Sequence, residues 1–204
     1  LLTISRHETT VYHIIYLPGG RRLVTSSRNC TVRTWNVENC EEEGMRMEHV
    51  YRVWGLAVTR DGKRILNSSR DELLRVWDAE THQPIAEWAQ KADIVFIASS
   101  PDDQLVASGD VEGRVVIREM KEGDRIKHAI ETSHTDRVVT ISLSPDETKL
   151  ASVSLDGTVR FWATDSGDPI GEPLEHEGDA NPVAFSPSGE FAACGGRIGK
   201  LSIW

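Results

Sequence analysis

The sequence predicts an all-β chain of five four-stranded antiparallel sheets, set as the blades of a β-propeller. Three observations predict it: a segment that recurs five times, paired turn signals inside each copy, and length variation confined to the stretches between copies. The segment from His134 to Trp162 reads HTDRVVTISLSPDETKLASVSLDGTVRFW. The windows His7 to Trp35, His49 to Trp77, Gln90 to Arg118 and His176 to Trp204 align with it without an internal gap. Each spans 28 steps, and consecutive starts lie 42, 41, 44 and 42 residues apart. A spacing held inside the unit and relaxed between units marks a physical constraint on the unit. Self-similarity at such a period is the signature of a repeat architecture.

Each window reads as three strands in order. The first is apolar and β-branched, as in Val138-Val139-Thr140-Ile141-Ser142-Leu143. A turn follows at Ser144-Pro145-Asp146, Ser100-Pro101-Asp102, Ser186-Pro187-Ser188 or Arg60-Asp61-Gly62. Proline presets φ at the second turn position, and Asp, Ser and Gly suit the rest. The second strand is Lys149 to Ser154 and its equivalents. A tight turn comes next, at Asp156-Gly157, Asp71-Glu72, Glu112-Gly113 or Ile198-Gly199. Asp-Gly between apolar runs is a strong hairpin signal. The third strand is expected to end on the Trp position. A fourth falls in the connector, as in Pro84-Ile85-Ala86-Glu87-Trp88. Four short strands in each period of this length make a propeller blade. The strands are apolar on both faces, as sheets sandwiched between neighbours require. A helical solenoid would show apolar spacings of three and four, and would not carry a Pro or Asp-Gly in each unit.

With these windows the chain resembles the WD-repeat family over its whole length. Trp77-Asp78 is the literal dipeptide, and Trp35-Asn36, Trp162-Ala163, Arg118-Glu119 and Trp204 stand in the same place. The resemblance implies a structural tetrad of His, Ser or Thr, Asp and Trp. The fourth repeat has it complete in His134, Ser152, Asp156 and Trp162. The second has His49, Asn67, Asp71 and Trp77, and the first His7, Thr25, Asn29 and Trp35. The fifth has His176, Cys194, Ile198 and Trp204, and the third Gln90, Ser108, Glu112 and Arg118. The physical sense is that a buried Asp needs donors, and that a satisfied polar network fixes one packing.

His134, Ser152 and Asp156 are a nucleophilic triad by residue type alone. A catalytic serine needs exposure and an oxyanion hole, whereas this set recurs in degraded form at one phase of several repeats. Recurrence marks scaffold, so no enzyme activity is expected. His13, His82 and His128 stand singly, without metal-ligand spacing. The Gly109 to Gly113 stretch lacks the Gly-Lys-Ser/Thr of a phosphate loop. No cofactor is expected.

The 204 residues are 39% hydrophobic and 27% charged, an ordinary soluble composition. No apolar run is long enough to cross a bilayer, so no membrane partner is expected. The net charge of −9 opposes nucleic-acid binding. The acidic residues Glu38, Glu41, Glu42, Glu43 and Glu48 read as a solvated loop. Three cysteines, at 30, 40 and 194, form neither a disulfide framework nor a zinc motif. Free thiols fit a reducing compartment, the cytoplasm or the nucleus.

The resemblance implies a non-catalytic scaffold that binds proteins or peptides on the face carrying the connectors into the first strands. Three positions per repeat reach that face. They are Thr10, Tyr12 and Arg28 in the first repeat and Arg52, Trp54 and Arg70 in the second. The third offers Asp93, Val95 and Val111, the fourth Arg137, Val139 and Leu155, and the fifth Asp179, Asn181 and Arg197. Tyr, Trp and Arg are enriched at interface hot spots, and Arg forks onto carboxylate or phosphate. Tyr12, Arg28, Arg52, Trp54, Arg70 and Arg137 are therefore the candidate site, for an acidic or phosphorylated segment of a partner protein. The alternative packs Trp54 under a loop and leaves the arginines as solvated rim residues. Other function readings are the sensor or repeat region of a larger signalling protein, or the substrate receptor of a ubiquitin ligase.

The whole chain is expected to be one propeller domain. Leu1 to Ser5 has the phase of a fourth strand and could close a ring of five. The missing initiator Met and the family's usual seven blades favour part of a larger ring.

Overall fold

A computed structural model describes residues 3–4, 6–120, 125–176, 180–196 and 199–204. The expected strand Leu1 to Ser5 lies in part outside the described residues. Asp179, Arg197 and Ile198 lie outside them too, as does the side chain of Asn181.

Among the described residues, five antiparallel sheets follow one another in chain order. The first holds β1 (Val11–Tyr16), β2 (Arg22–Ser27), β3 (Thr31–Asn36) and β4 (Glu42–Glu48). The second holds β5 (Val53–Val58), β6 (Arg64–Ser69), β7 (Leu73–Asp78) and β8 (Pro84–Ala89). The third holds β9 (Ile94–Ser99), β10 (Leu105–Asp110), β11 (Val115–Glu119) and β12 (Arg125–Ile130). The fourth holds β13 (Val138–Leu143), β14 (Lys149–Ser154), β15 (Thr158–Ala163) and β16 (Leu174–Glu175). The fifth holds β17 (Ala180–Phe185), β18 (Ala192–Gly196) and β19 (Leu201–Ile203). Strands in each sheet pair in sequence order, as a meander. The chain divides into two compact units, Leu1–Ile94 and Val95–Trp204.

Two expectations change. The third strand runs one residue past the Trp position, to Asn36, Asp78, Glu119 and Ala163. The acidic run is not a loop: Glu42–Glu48 is the outer strand of the first sheet. Glu42 turns inward and pairs with Arg33 and Arg46, while Glu43 accepts from the Asn36 amide. A strand shows alternate residues to opposite sides, so half of an acidic run can meet cations while the rest stays wet.

In three windows the first turn is capped by its own side chains. In the second, third and fourth windows the hydroxyls of Thr59, Ser100 and Ser144 donate to Asp61, Asp102 and Asp146, at 2.6–2.7 Å. Each aspartate then accepts a backbone N–H two residues on. These bonds hold Asp61 and Asp146 below the ordinary carboxylate range.

Packing between sheets repeats. In the first unit, Leu17, Val24, Val32 and Met47 meet Val53, Leu56, Ile65 and Trp77 in one core. In the second unit, Leu105, Ala107, Val115 and Ile117 meet Val138, Ile141, Leu150 and Trp162. A further core joins Ala151, Val153 and Val159 to Val183. The middle strands of the first three sheets, and β14 of the fourth, are buried on both faces, as the sequence reading requires.

At the outer rim, the turn after a third strand docks on the outer strand of the preceding sheet. His82 lies over Gly44, with Nδ1 3.0 Å from the Met45 carbonyl. In the second unit the partners are exchanged: His128 lies over Gly167, with Nε2 2.8 Å from the Asp165 carbonyl. Gly44 has φ +68, and a Cβ there would stand 2.3 Å from His82 Nδ1. Gly44→Ala is therefore expected to cost about 1–3 kcal/mol through overpacking. His82→Ala in the same chain should return part of it. Urea denaturation of the three chains checks this; an unperturbed midpoint for Gly44→Ala would remove the contact from the account.

Candidate functional site

The fourth repeat forms a continuous polar chain. The Trp162 indole N–H donates to Ser152 Oγ at 2.9 Å, and His134 Nε2 lies 2.9 Å from the same oxygen. His134 Nδ1 reaches the Asp156 carboxylate at 3.0 Å. Asp156 also accepts from the Thr158 hydroxyl and from the backbone N–H groups of Thr135 and Thr158. Burial opposes its ionisation, but those donors and His134 outweigh it, so its carboxyl sits below the usual range. Burial lowers His134, with Asp156 acting in the opposite sense. Ser152 is fully buried, so it has no access to a substrate.

The first repeat builds the same core from Thr25. Trp35 Nε1 donates to Thr25 Oγ1 at 2.8 Å, and His7 Nε2 lies 2.7 Å from it. The His7 ring meets Trp35 edge-on.

The second repeat departs from the expected tetrad. Asp71 is held by Arg75 at 2.7 Å, and the same guanidinium nitrogen lies 3.0 Å from His49 Nδ1. Arg75 Nε also reaches Glu87 at 2.7 Å. Among the described residues, Trp77 Nε1 and both Asn67 amide atoms have no hydrogen-bond partner. The planar amide of Asn67 does not take the place of the rotating hydroxyl of Ser152, and Arg75 occupies the carboxylate. His49 is pushed down to about 4, chiefly by burial and then by the Arg75 charge, with Asp71 opposing.

The third and fifth repeats are rewired. Arg118, buried where other windows have Trp, donates through Nη1 to Ser108 Oγ at 3.2 Å. The buried carboxylate is Asp110, not Glu112: it accepts the Glu112 and Arg114 backbone N–H groups and pairs with Arg114. Glu112 is exposed. Cys194 is buried and cannot serve as a strong acceptor, and His176 turns to Ser202 at 2.9 Å.

Three of the expected face residues share a feature that spacing alone did not show. The first pairing of the first, second and fourth sheets contains a register shift, at Val11/His13, Val53/Gly55 and Val138/Thr140. The residues skipped are Tyr12, Trp54 and Val139. A bulge leaves one residue out of the ladder and re-aims its side chain.

In the first unit, Tyr12 is exposed and Trp54 half-buried. The Arg70 guanidinium lies 5.4 Å from the Trp54 ring centroid, and its Nε is 2.9 Å from Asp93. Two expected face positions, Arg70 and Asp93, therefore meet. Val53 pairs with Ser69, so Arg52 and Arg70 stand opposite each other one step outward. Arg28 is exposed beside Thr10, whose carbonyl accepts its N–H at 2.9 Å. Among the described residues neither Arg28 nor Arg52 has a carboxylate at ion-pair distance.

Sequence reasoning missed Val50 and Tyr51, both exposed in the connector between β4 and β5. The readable signal was two apolar residues directly after the window His, where other windows carry Glu8-Thr9, Lys91-Ala92 and Thr135-Asp136. Arg137 belongs to the second unit, is exposed, and lies 3.9 Å from Asp136.

A carboxylate pair also emerges. In the second unit a cleft of about 530 Å³ is lined by Asp102, Glu119, Asp146, Glu147 and Asp165 with Lys127. Glu147 accepts the Asp102 N–H at 2.6 Å, and Asp102 is spent on Ser100 and Gln104. These oxygens cap turns.

The family profile described as WD domain, G-beta repeat, matches residues 1–36, 44–78 and 127–163, more than half of the chain. No curated protein matches the chain.

Two outcomes are expected. Asp156→Ala or His134→Ala should lower stability by about 1–3 kcal/mol in urea denaturation, since each leaves buried polar atoms unmatched. Acid should destabilise as well. A histidine held below its unfolded value of 6.5 takes up its proton on unfolding, so its contribution is complete above pH 6.5. That contribution is lost as pH falls towards 4, by roughly 3 kcal/mol for His49 over this window. Melts at several pH values should give a shallower slope for His49→Gln, and an identical slope would remove His49 from the account.

Proposed function

Because the chain belongs to the WD-repeat family, whose members generally act as non-catalytic scaffolds that bind other proteins, we propose that its first two blades form the docking face. The partner is a protein segment that presents acidic or phosphorylated residues beside an apolar side chain.

One observation carries this reading: bulge-aimed aromatic residues stand at the same end of adjacent sheets as cations lacking a carboxylate. Tyr12 and Trp54 are displaced from the ladder by the register shifts in β1 and β5. Arg28 and Arg52 stand at the same strand ends. Exposed Val50 and Tyr51 add apolar area. Arg70 plays a different part from the other two. It is held by Asp93 through Nε and stacked on Trp54, so its fork is pre-organised and little side-chain entropy is lost on binding. Against a chain of net charge −9 this is a local reversal of sign, which steers an acidic segment and rejects a basic one.

Affinity capture with mass spectrometry tests the face. Arg28→Glu with Arg52→Glu should cut recovery of a specific partner at least tenfold, the effect of about 1.4 kcal/mol. Arg137→Glu, on the second unit, should leave recovery unchanged. Equal capture by the double variant and the parent would remove this face from consideration. Loss only with Arg137→Glu would move the site to the fourth blade.

A further inference from the structure

Three windows carry an arginine at one place on the third strand: Arg33, Arg75 and Arg160. Two of them find a carboxylate of their own chain. Arg33 pairs with Glu42 at 3.4 Å, and Arg75 with Asp71 and Glu87 at 2.7 Å each. Arg160 is different. Its Nη2 donates to the Ser133 carbonyl at 3.2 Å, while its Nε is shielded from solvent and has no partner. Among the described residues no carboxylate lies within ion-pair distance of it.

The outer strand accounts for the difference. In the second sheet Arg75 stands opposite Glu87 in register. In the fourth, Val159 pairs with Leu174, and Trp162 bridges to Pro169. Arg160 and Phe161 therefore face the longer stretch from Ile170 to Pro173. Ile170 bonds back to the Phe161 carbonyl, and Gly171, Glu172 and Pro173 are exposed. A bulge of this kind breaks the register that would set an acid across from the arginine.

Arg160 also lines a cleft of about 550 Å³ within the second unit, between the outer strand of the third blade and β15 of the fourth. That is the size of a small-molecule pocket. Lys127 adds a second cation, held by exposed Asp165 at 3.5 Å. Ile130, Trp162 and Pro169 give the cleft apolar walls. The one acid among its described lining residues, Glu131, is exposed and makes no ion pair with either cation.

We propose that this cleft binds a small organic carboxylate, whose oxygens play on Arg160 the part that Glu87 plays on Arg75. A guanidinium offers five N–H donors in a planar fork, and the chain uses one of them here. A carboxylate meets that fork with two parallel bonds. Lys127 adds attraction for the negative charge, and the apolar walls cover the ligand's hydrocarbon body. The site belongs to the second unit and stands independently of the docking face proposed for the first two blades.

NMR of the arginine Nε–H groups in the ¹⁵N-labelled chain, titrated with glutarate, tests this. Glutarate should shift the Arg160 signal saturably and leave that of Arg75, already paired, in place. Glutaramide, of the same shape without the charge, should leave both in place. Ser133→Glu sets a carboxylate of the chain beside Arg160, keeps the backbone carbonyl, and should weaken glutarate roughly tenfold or more. Arg160→Gln should abolish the saturable shift at the backbone amide of Ile130. Should that variant fail to fold, Ser133→Glu decides alone. Glutarate should also bind more tightly than inorganic phosphate, which has no hydrocarbon body to cover. Absence of a saturable shift at Arg160 overturns the proposal, as does an equal shift with glutaramide or undiminished binding by Ser133→Glu. Tighter binding of phosphate than of glutarate overturns the assignment to a carboxylate.

Discussion

Everything in these sheets depends on one constraint: a strand buried on both faces leaves no water for the polar atoms between the blades. The chain meets this with a small acceptor on the second strand and a donor from the third. In the fourth repeat Ser152 accepts from Trp162, and in the first Thr25 accepts from Trp35. Where the acceptor is a hydroxyl, the donor is replaceable. Where the third repeat lacks Trp, Arg118 donates to Ser108 instead. A guanidinium is costly to bury, but Ser108 needs only a donor at that spot. The second repeat alters the acceptor itself, and there the indole N–H of Trp77 and the Asn67 amide are left without partners. An unmet buried donor costs more than a met one gains, so at this spot the second blade bears a penalty that the first, with Trp35 on Thr25, does not.

A second layer of charge lies over this layer of neutral bonds. Arg33, Arg75 and Arg160 hold the same place in their windows, and each finds a different neighbour. Arg33 meets Glu42 on the adjacent outer strand. Arg75 reaches both Asp71 and Glu87, and Arg160 donates to the Ser133 carbonyl. Three of the five windows put an arginine there, and the connector decides its partner. The exchange of His and Gly at the outer rim follows the same rule. One bulky ring and one bare backbone must meet, and either side can supply either one.

This division explains what could be read from sequence. Strand positions and turns were legible because they recur at fixed spacing, and the His134–Ser152–Trp162 core because the resemblance to the WD-repeat family implied it. The role of Asp110 was not: its window aligns Glu112 with the family carboxylate, and only the geometry of the turn shows which acid is buried. The Arg75 intrusion depends on register between third and fourth strands, which connectors of variable length conceal. The acidic run looked like a loop because five glutamates in eleven residues outweigh the weak strand pattern beneath them. Tyr12 and Trp54 were assigned to the face by analogy of position, whereas the bulge that takes them out of the ladder is a feature of hydrogen-bond register. Val50 and Tyr51 fell in a connector, where no repeat comparison applies.

The same division bears on where recognition can reside. Residues inside the 28-step window are tied to the packing of two neighbouring sheets, so changing them costs stability. Connectors and bulge positions are tied to little else, and there this chain departs most from its own repeats. The first two blades place aromatic bulge residues where the fourth has Val139. They also place Arg28 and Arg70 where the fourth has Leu155. The pairing of Arg70 with Asp93 and its stacking on Trp54 give that divergence a physical cost, since a salt bridge at half-exposed side chains returns little stability. Held between Asp93 and Trp54, Arg70 is the pre-ordered cation that the proposed docking face calls for.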